Sequence, residues 1–402
     1  MEKHQSHDVH RRLNGCWFTP CVAYHWGMNF PSRAWLDVDL DAVRHNVRLL
    51  QARAGVPLIV MVKANAYGIG AVMVSRALGV PFDRTPAGAD APWGLGIASL
   101  DEAVELRDAG CRGRILCLTP LLPPELPRAH ALGVRPALHT NSDIRAWAAA
   151  GEGDEMRPYH LAIDTGMARA GVRWDRVDEL RSALREHPPE GVFTHFHSAD
   201  EDIDSRDEQD ARFVDAMLAL GDALPAKVLR HSDNSAGIAS RTRRSPGSLA
   251  RPGIAVYGGM FSELLGLRQV VHLRARVVDV RDVAFGETVS YGATWVAARA
   301  SRIATLSAGY GDGYRRQLSN RGEVLIGGLR CPVAGRVTMD MTMVDVTDVP
   351  CAVGDIATLI GTDGATTIST EQVAETAELS PYELLVGLAL RVPSRPLSAM
   401  AS

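Results

Sequence analysis

Apolar residues through the middle of the chain fall into short runs, and stretches of helical periodicity separate them. From about Val56 to Gly259 the runs Leu58–Lys63, Gly94–Ala98, Arg114–Leu118, Arg135–Leu138, His160–Ile163, Gly191–Phe196, Lys227–His231 and Gly253–Tyr257 read as buried strands. Between them, Leu100–Ala109, Asp143–Ala150, Val177–Glu186 and Asp207–Leu224 read as amphipathic helices. Ser99 with Glu102 makes a capping box, and Gly79 and Gly110 stand where helices end. This succession of strand–helix units predicts an N-terminal closed parallel barrel of the (β/α)8, TIM-like kind. A doubly wound open sheet is the alternative, weakened because no Gly-x-Gly-x-x-Gly follows the first strand.

After about Leu267 the texture changes. Leu273–Val280, Arg302–Leu306, Glu323–Ile326, Cys331–Val333, Thr342–Val346 and Ile356–Ile360 are short, rich in β-branched residues and separated by Gly, Asp or Pro turns. They predict a mostly antiparallel C-terminal β domain with one late helix near Ser369–Ala377. Arg33–Val38 is a further strand, followed by a helix over Leu40–Ala52, and it can pair with the β domain instead of the barrel. The expected organisation is a barrel over 33–267 and a β domain over 268–402. Residues 1–32 lack either periodicity and are expected to be a disordered extension, or an upstream start, since clean patterning begins just after Met28.

Composition narrows the class. The 402 residues are 46% hydrophobic and 22% charged, with a net charge of -4, so there is no basic field for nucleic acid or anionic lipid. No apolar stretch reaches membrane-spanning length. The six cysteines show no paired metal-ligand spacing and are sparse for a disulfide scaffold, which suggests reduced thiols in the cytoplasm. The expected partner is a small molecule.

The candidate chemistry lies at strand ends. Met61-Val62-Lys63-Ala64-Asn65-Ala66-Tyr67-Gly68 delivers a lysine to the end of an apolar run. Desolvation there disfavours the ammonium and leaves an amine able to attack an aldehyde as a Schiff-base lysine. Arg169 follows the fifth barrel strand, His195 and His197 end the sixth, Asn234 and Ser235 follow the seventh, and Arg251-Pro252-Gly253-Ile254 opens the eighth, where barrels bind phosphate. Two histidines without an evident third ligand argue against a metal site, and the acidic run Asp200–Asp204 reads as a solvated helix start.

Lys-Ala-Asn-Ala-Tyr-Gly, Asp-Thr-Gly-Met and Ser-Tyr-Gly-Ala-Thr together make the chain, from Arg33 to Pro393, resemble the alanine racemase family, enzymes of fold type III that depend on pyridoxal 5'-phosphate (PLP). The resemblance implies that Lys63 holds PLP and acts as one base, with Tyr291 of a partner subunit as the second. Two bases on opposite faces of Cα suit racemisation. It implies Arg251 opposite the pyridine nitrogen, and phosphate contacts from Tyr67, Ser235, Gly253 and Ile254. His195 packs on the ring, and Asn234 and Tyr257 fall within the matching cofactor motifs. Arg169 and Met339 would grip the substrate carboxylate, and Tyr310 and Asp340 would shape the entrance. A homodimer with shared sites and D-alanine for peptidoglycan follow from the same resemblance.

Two positions depart from the family pattern. Leu390 stands where many relatives carry a tyrosine before Arg-Val-Pro, which removes a phosphate contact and widens the pocket. Ala162 replaces a lysine that can be carbamylated, so a chloride ion or neutral neighbour must hold Arg169. The alternatives are a broader racemase acting on serine, a non-catalytic PLP-binding protein, and a fold-related decarboxylase, whose C-terminal cysteine and acidic pair are missing.

Overall fold

The computed structural model describes residues 32–151, 157–388 and 391–397. The expected N-terminal extension up to residue 31 and Leu390 lie outside the described residues. Strand β1 (Ala34–Val38) is buried along its whole length and leads into helix α1 (Leu40–Ala54), where the Asp39 carboxylate accepts the Ala42 N–H at 2.8 Å.

Seven barrel strands follow: β2 (Ile59–Met61), β3 (Gly94–Ile97), β4 (Ile115–Cys117), β5 (Val134–Leu138), β6 (His160–Asp164), β7 (Gly191–Phe193) and β8 (Leu229–His231). They run parallel, each bonded to the next in chain order. The eighth stave differs from the expected strand Gly253–Tyr257. An extended segment just before it closes the ring. Leu249 N–H donates to Arg230 O at 3.2 Å and Arg251 N–H to Asp233 O at 2.7 Å. On the other side Ala250 O and Pro252 O accept from Ile59 and Met61 at 2.8 and 3.0 Å. Pro252 has no N–H to continue a ladder, and Ile254–Tyr257 coil into a 3-10 turn.

Small layers of side chains fill the barrel interior, Ile59 with Leu116 and Leu249, and Ala137 with Ala162 and Phe193. The opposite faces of the strands (Leu95, Ile97, Ile115, Leu161, Val192) join the main core beneath the helices. Gly96 faces inward because Met61 fills that space: a Cβ there would stand 2.3 Å from the Met61 sulfur.

The C-terminal part is built on one long strand, β9 (Val271–Val283). It pairs antiparallel with Ser301–Leu306, with Ile356–Asp363 and with β1, in the register Ala34↔Ala275 to Val38↔Val271. The first strand therefore belongs to this sheet and the chain enters the barrel only after α1. The late helix spans Thr370–Thr376, capped by Ser369, and a second helix, Pro381–Gly387, was not foreseen. The expected helix Val177–Glu186 is a 3-10 turn, Trp174–Leu180, continued by a helix over Arg181–Glu186. The stretch expected to begin at Asp207 starts at Ile203, with the Asp202 carboxylate as its cap.

Trp147 is 1% exposed and its indole N–H donates to Arg157 O at 2.9 Å. Trp147→Ala is expected to lower the unfolding free energy by about 3–5 kcal/mol, read as a shifted urea midpoint at constant slope. A loss below about 1 kcal/mol would contradict this packing.

Candidate active site

Where β2 ends, Val62 N–H still bonds to Gly96 O at 2.8 Å, and the backbone then turns left-handed for four residues. Ala64, Asn65, Ala66 and Tyr67 have φ of 51°, 53°, 53° and 57°, a conformation that costs about 1–2 kcal/mol per L-residue. This turn swings Tyr67 back under Lys63, so both side chains line one cavity of about 340 Å³ at the carboxyl ends of the strands. Lys63 is not buried in the core as its apolar approach suggested; it stands exposed in the cavity mouth. The cavity walls, and after them Arg169, lower its pKa below the usual lysine range, with Glu102 opposing.

Tyr67 is buried, its ring 4.9 Å from Tyr257 and 6.0 Å from Tyr382. Burial, then the neighbouring Tyr382, raises its pKa, so the phenol remains a neutral O–H donor. Gly253 is required beside it: a Cβ would stand 2.2 Å from the Tyr67 hydroxyl oxygen. Ser235 Oγ accepts the Gly253 and Ala255 N–H groups at 2.9 and 3.3 Å, which leaves its own proton to donate into the cavity. The Gly253 N–H is thus already used within the protein. Asn234 lines the cavity, but its side chain caps the helix Ser235–Ser240 through the Gly237 N–H at 2.8 Å. Ile254 and Tyr257 lie behind this wall. Both are fully buried, and the Tyr257 hydroxyl donates to Met61 O at 2.6 Å.

Arg251 occupies the floor, 2% exposed. Its guanidinium donates to His231 Nδ1 (2.7 Å), His231 O (2.8 Å), Thr194 O (2.6 Å) and Ser232 O (3.0 Å), and lies 5.2 Å from the Phe193 ring. His231 Nε2 is 2.7 Å from His160 Nδ1, and His160 Nε2 is 3.2 Å from Glu190 Oε2, which Arg135 holds at 2.5 Å. Both ends fix the direction of the protons. A guanidinium only donates and a carboxylate only accepts, so each imidazole is neutral with its proton on Nε2. Burial, as the largest cause, lowers both histidine pKa values. Burial pushes Glu190 up, yet the bonds from His160 and Arg135 bring it down to about 2. Arg251 itself falls to about 10 through burial. His195, beside Arg251 at 3.4 Å, is pushed to about 3 by burial and then by Arg251, Arg169 and Lys63. It presents a neutral ring to the cavity.

Arg169 is exposed in the cavity and makes no ion pair among the described residues. Ala162 lies in the apolar wall. Sequence reading missed the His160–Glu190 continuation and Tyr382, which lines the cavity from the helix Pro381–Gly387. A histidine inside an apolar strand run was the available signal for the first.

The remaining candidates form a second cluster. Tyr291 is 72% exposed, Met339 53% and Tyr310 39%, and none of them lines the Lys63 cavity. Ser290 Oγ donates to Arg336 O at 2.7 Å, and the Tyr310 and Gly311 N–H groups donate to Thr338 O and Met339 O at 2.9 Å. The three loops are thereby stitched into one surface of the β domain. Asp340 is paired with Arg391 at 2.8 Å, and Arg391 also binds the buried Asp312.

Residues 38–260 match the alanine racemase N-terminal domain and residues 270–396 the alanine racemase C-terminal domain. An alanine racemase of Deinococcus radiodurans is 40% identical over 368 residues, covering 90% of this chain and 99% of its own. One from Carboxydothermus hydrogenoformans is 38% identical over 89% of this chain and 98% of its own. Among solved structures, alanine racemase from a D-cycloserine-producing Streptomyces lavendulae superposes with a TM-score of 0.81 at 33% identity, covering 92% of this chain and 98% of that one. Alanine racemase from Bartonella henselae with covalently bound pyridoxal phosphate gives 0.79 at 27% identity, covering 91% and 100%. The chain belongs to the alanine racemase family.

Two outcomes follow from this geometry. Gly253→Ala displaces the Tyr67 hydroxyl and is expected to weaken PLP binding about tenfold, on the scale of one lost hydrogen bond of about 1.4 kcal/mol; an unchanged titration of the visible cofactor band would contradict it. The second concerns acid. His160, His195 and His231, with His272 at about 4, are held neutral below their unfolded pKa near 6.5. The unfolded chain then binds more protons, so stability falls as pH drops from 6.5 toward 4, by up to about 1.4 kcal/mol per pH unit for each group. Urea unfolding at pH 7, 6 and 5 checks this, and a flat profile would refute it.

Proposed function

We propose that this chain interconverts L- and D-alanine using PLP held at Lys63, in sites completed by a second copy of the same chain. The observation that carries the reading is the division of the candidate residues. Lys63, Arg169 and Arg251 converge on one cavity, whereas Tyr291, Met339 and Tyr310 stand on an exposed surface elsewhere on the chain. Two copies placed with that surface over the cavity mouth, as closed twofold symmetry allows, would unite them reciprocally.

The residues present suit the cofactor. The cavity volume falls within the range for small-molecule sites, ~300–1,000 Å³, and holds an amine, two neutral hydroxyls and a buried cation at separate walls. When bound, PLP supplies the electron withdrawal that acidifies the Cα–H of an attached amino acid. Tyr67 and Ser235 would hold the phosphate through hydrogen bonds from their hydroxyls. Arg251 can only donate, so a pyridine nitrogen facing it remains without a proton. His195 would offer the ring a flat, uncharged surface, and Arg169 would pair with the substrate carboxylate.

Lys63, with its lowered pKa, is prepared to take or return a proton at Nζ on one face of Cα. The Tyr291 hydroxyl of the other copy does the same on the opposite face, and the two together invert the centre. We take residues 33–267, apart from β1, as the cofactor barrel, and 268–402 together with β1 as the domain that presents Tyr291. Among the described residues no helix is long and apolar enough to cross a membrane. The product would serve cytoplasmic D-alanine supply for peptidoglycan.

Lys63→Ala is expected to abolish the visible band of lysine-bound cofactor. Tyr291→Phe keeps the band but lowers turnover by about 10²–10⁴, the usual worth of a proton-transferring group. Co-expression of the two variants tests the shared site. Each heterodimer then contains one intact Lys63–Tyr291 pair, so random pairing restores about a quarter of wild-type activity. No recovery from a confirmed heterodimer would overturn the two-chain reading.

A further inference from the structure

We propose that Glu102 is a positioning residue for Lys63: its carboxylate bridges the end of β3 to the strained turn that presents the amine. The inference rests on the reading of Lys63 as the cofactor anchor. Glu102 is the third residue of the helix Leu100–Asp108 and completes a capping box with Ser99, accepting its N–H at 3.2 Å. A capping box asks only that bond of the glutamate side chain. Here the same carboxylate does more. Oε2 also accepts the Ala98 N–H at 2.7 Å, and Oε1 reaches across to the Ala64 N–H at 2.6 Å.

Ala64 is the residue immediately after Lys63 and the first of the four left-handed residues. Alanine has no side-chain hydrogen bond with which to stabilise that conformation, so the turn persists only where its surroundings hold it. Supports from within the segment are Ala66 N–H to Val62 O, Gly68 N–H to Ala64 O and Ala71 N–H to the Asn65 side chain, each at 2.8 Å, and Gly70 N–H to Asn65 O at 2.9 Å. Glu102 is the contact from a neighbouring strand–helix unit that fixes where the turn starts, and its charge also opposes the lowering of the Lys63 pKa by Arg169.

Both carboxylate oxygens are needed. Glutamine serves a capping box as well as glutamate does, but it has one carbonyl oxygen, and its NH₂ would face an N–H donor at Ala64 or at Ala98. This separates bridging from capping. Apoprotein of wild type, Glu102→Gln and Glu102→Ala is compared by amide hydrogen exchange of a peptide spanning residues 62–70, and by the rate at which the visible band forms on mixing with PLP. Expected for both variants is at least tenfold faster exchange in that peptide, with the β7 and β8 peptides unchanged, and at least tenfold slower band formation. Wild-type exchange and band formation in Glu102→Gln would reduce Glu102 to a cap and overturn the proposal, whether or not Glu102→Ala folds. Wild-type protein that forms no band would instead remove the reading of Lys63, while the exchange comparison would still decide the bridge.

Discussion

A guanidinium sealed inside a barrel must place its N–H groups on acceptors, because an unmatched donor there costs the full desolvation of a charged group. Arg251 meets this demand with three carbonyl oxygens and the imidazole of His231. That last contact orients everything below it. His231 must carry its proton on the far nitrogen, His160 must receive it and pass its own donor onward, and Glu190 must remain an anion at the end. The chain has one direction and no spare proton, so the cavity floor is a fixed positive donor surface. A cofactor nitrogen facing that surface meets a donor and never an acid able to yield its proton readily.

The walls follow the same logic of fixed donors and an open centre. Tyr67 and Ser235 are held as neutral hydroxyls, one by burial and the other by two backbone N–H groups that leave its proton available. Lys63 immediately precedes the strained turn, where cavity walls and Arg169 favour the free amine. The strain has a use: a right-handed or extended exit from β2 would not carry Tyr67 back beneath the lysine. The barrel thus gathers the cavity with the Lys63 amine, and the β domain, built on β9 and entered already by β1, carries the loops that expose Tyr291, Tyr310 and Met339.

Much of this was legible in the chain. Short apolar runs separated by helical patterns placed seven of the barrel strands within a few residues, and motif residues Lys63, Tyr67, Ser235 and Arg251 do meet in one cavity. The eighth stave was misplaced by a few residues because an apolar run after Pro252 looks like a strand, although proline cannot extend a ladder and the Tyr257 hydroxyl draws that run inward to Met61. Glu102 read as a helix cap, which it is; nothing local shows that its second oxygen reaches Ala64. His160 and Glu190 come together only through the pairing of β6 with β7, a long-range register invisible to periodicity. Asn234 and Tyr257 stand in the matching motifs, and there Asn234 Oδ1 caps a helix while the Tyr257 hydroxyl donates to a strand carbonyl.

The protonation order of the buried chain can be read directly from ¹⁵N-histidine NMR of the protein between pH 5 and 9, with His160 and His231 assigned by single substitutions. Both rings are expected to remain neutral over the whole range, each with its proton on Nε2. An imidazolium signal, or a proton on the Nδ1 of His231, would mean that Arg251 does not anchor a one-way chain, and the fixed donor floor on which the site depends would be wrong.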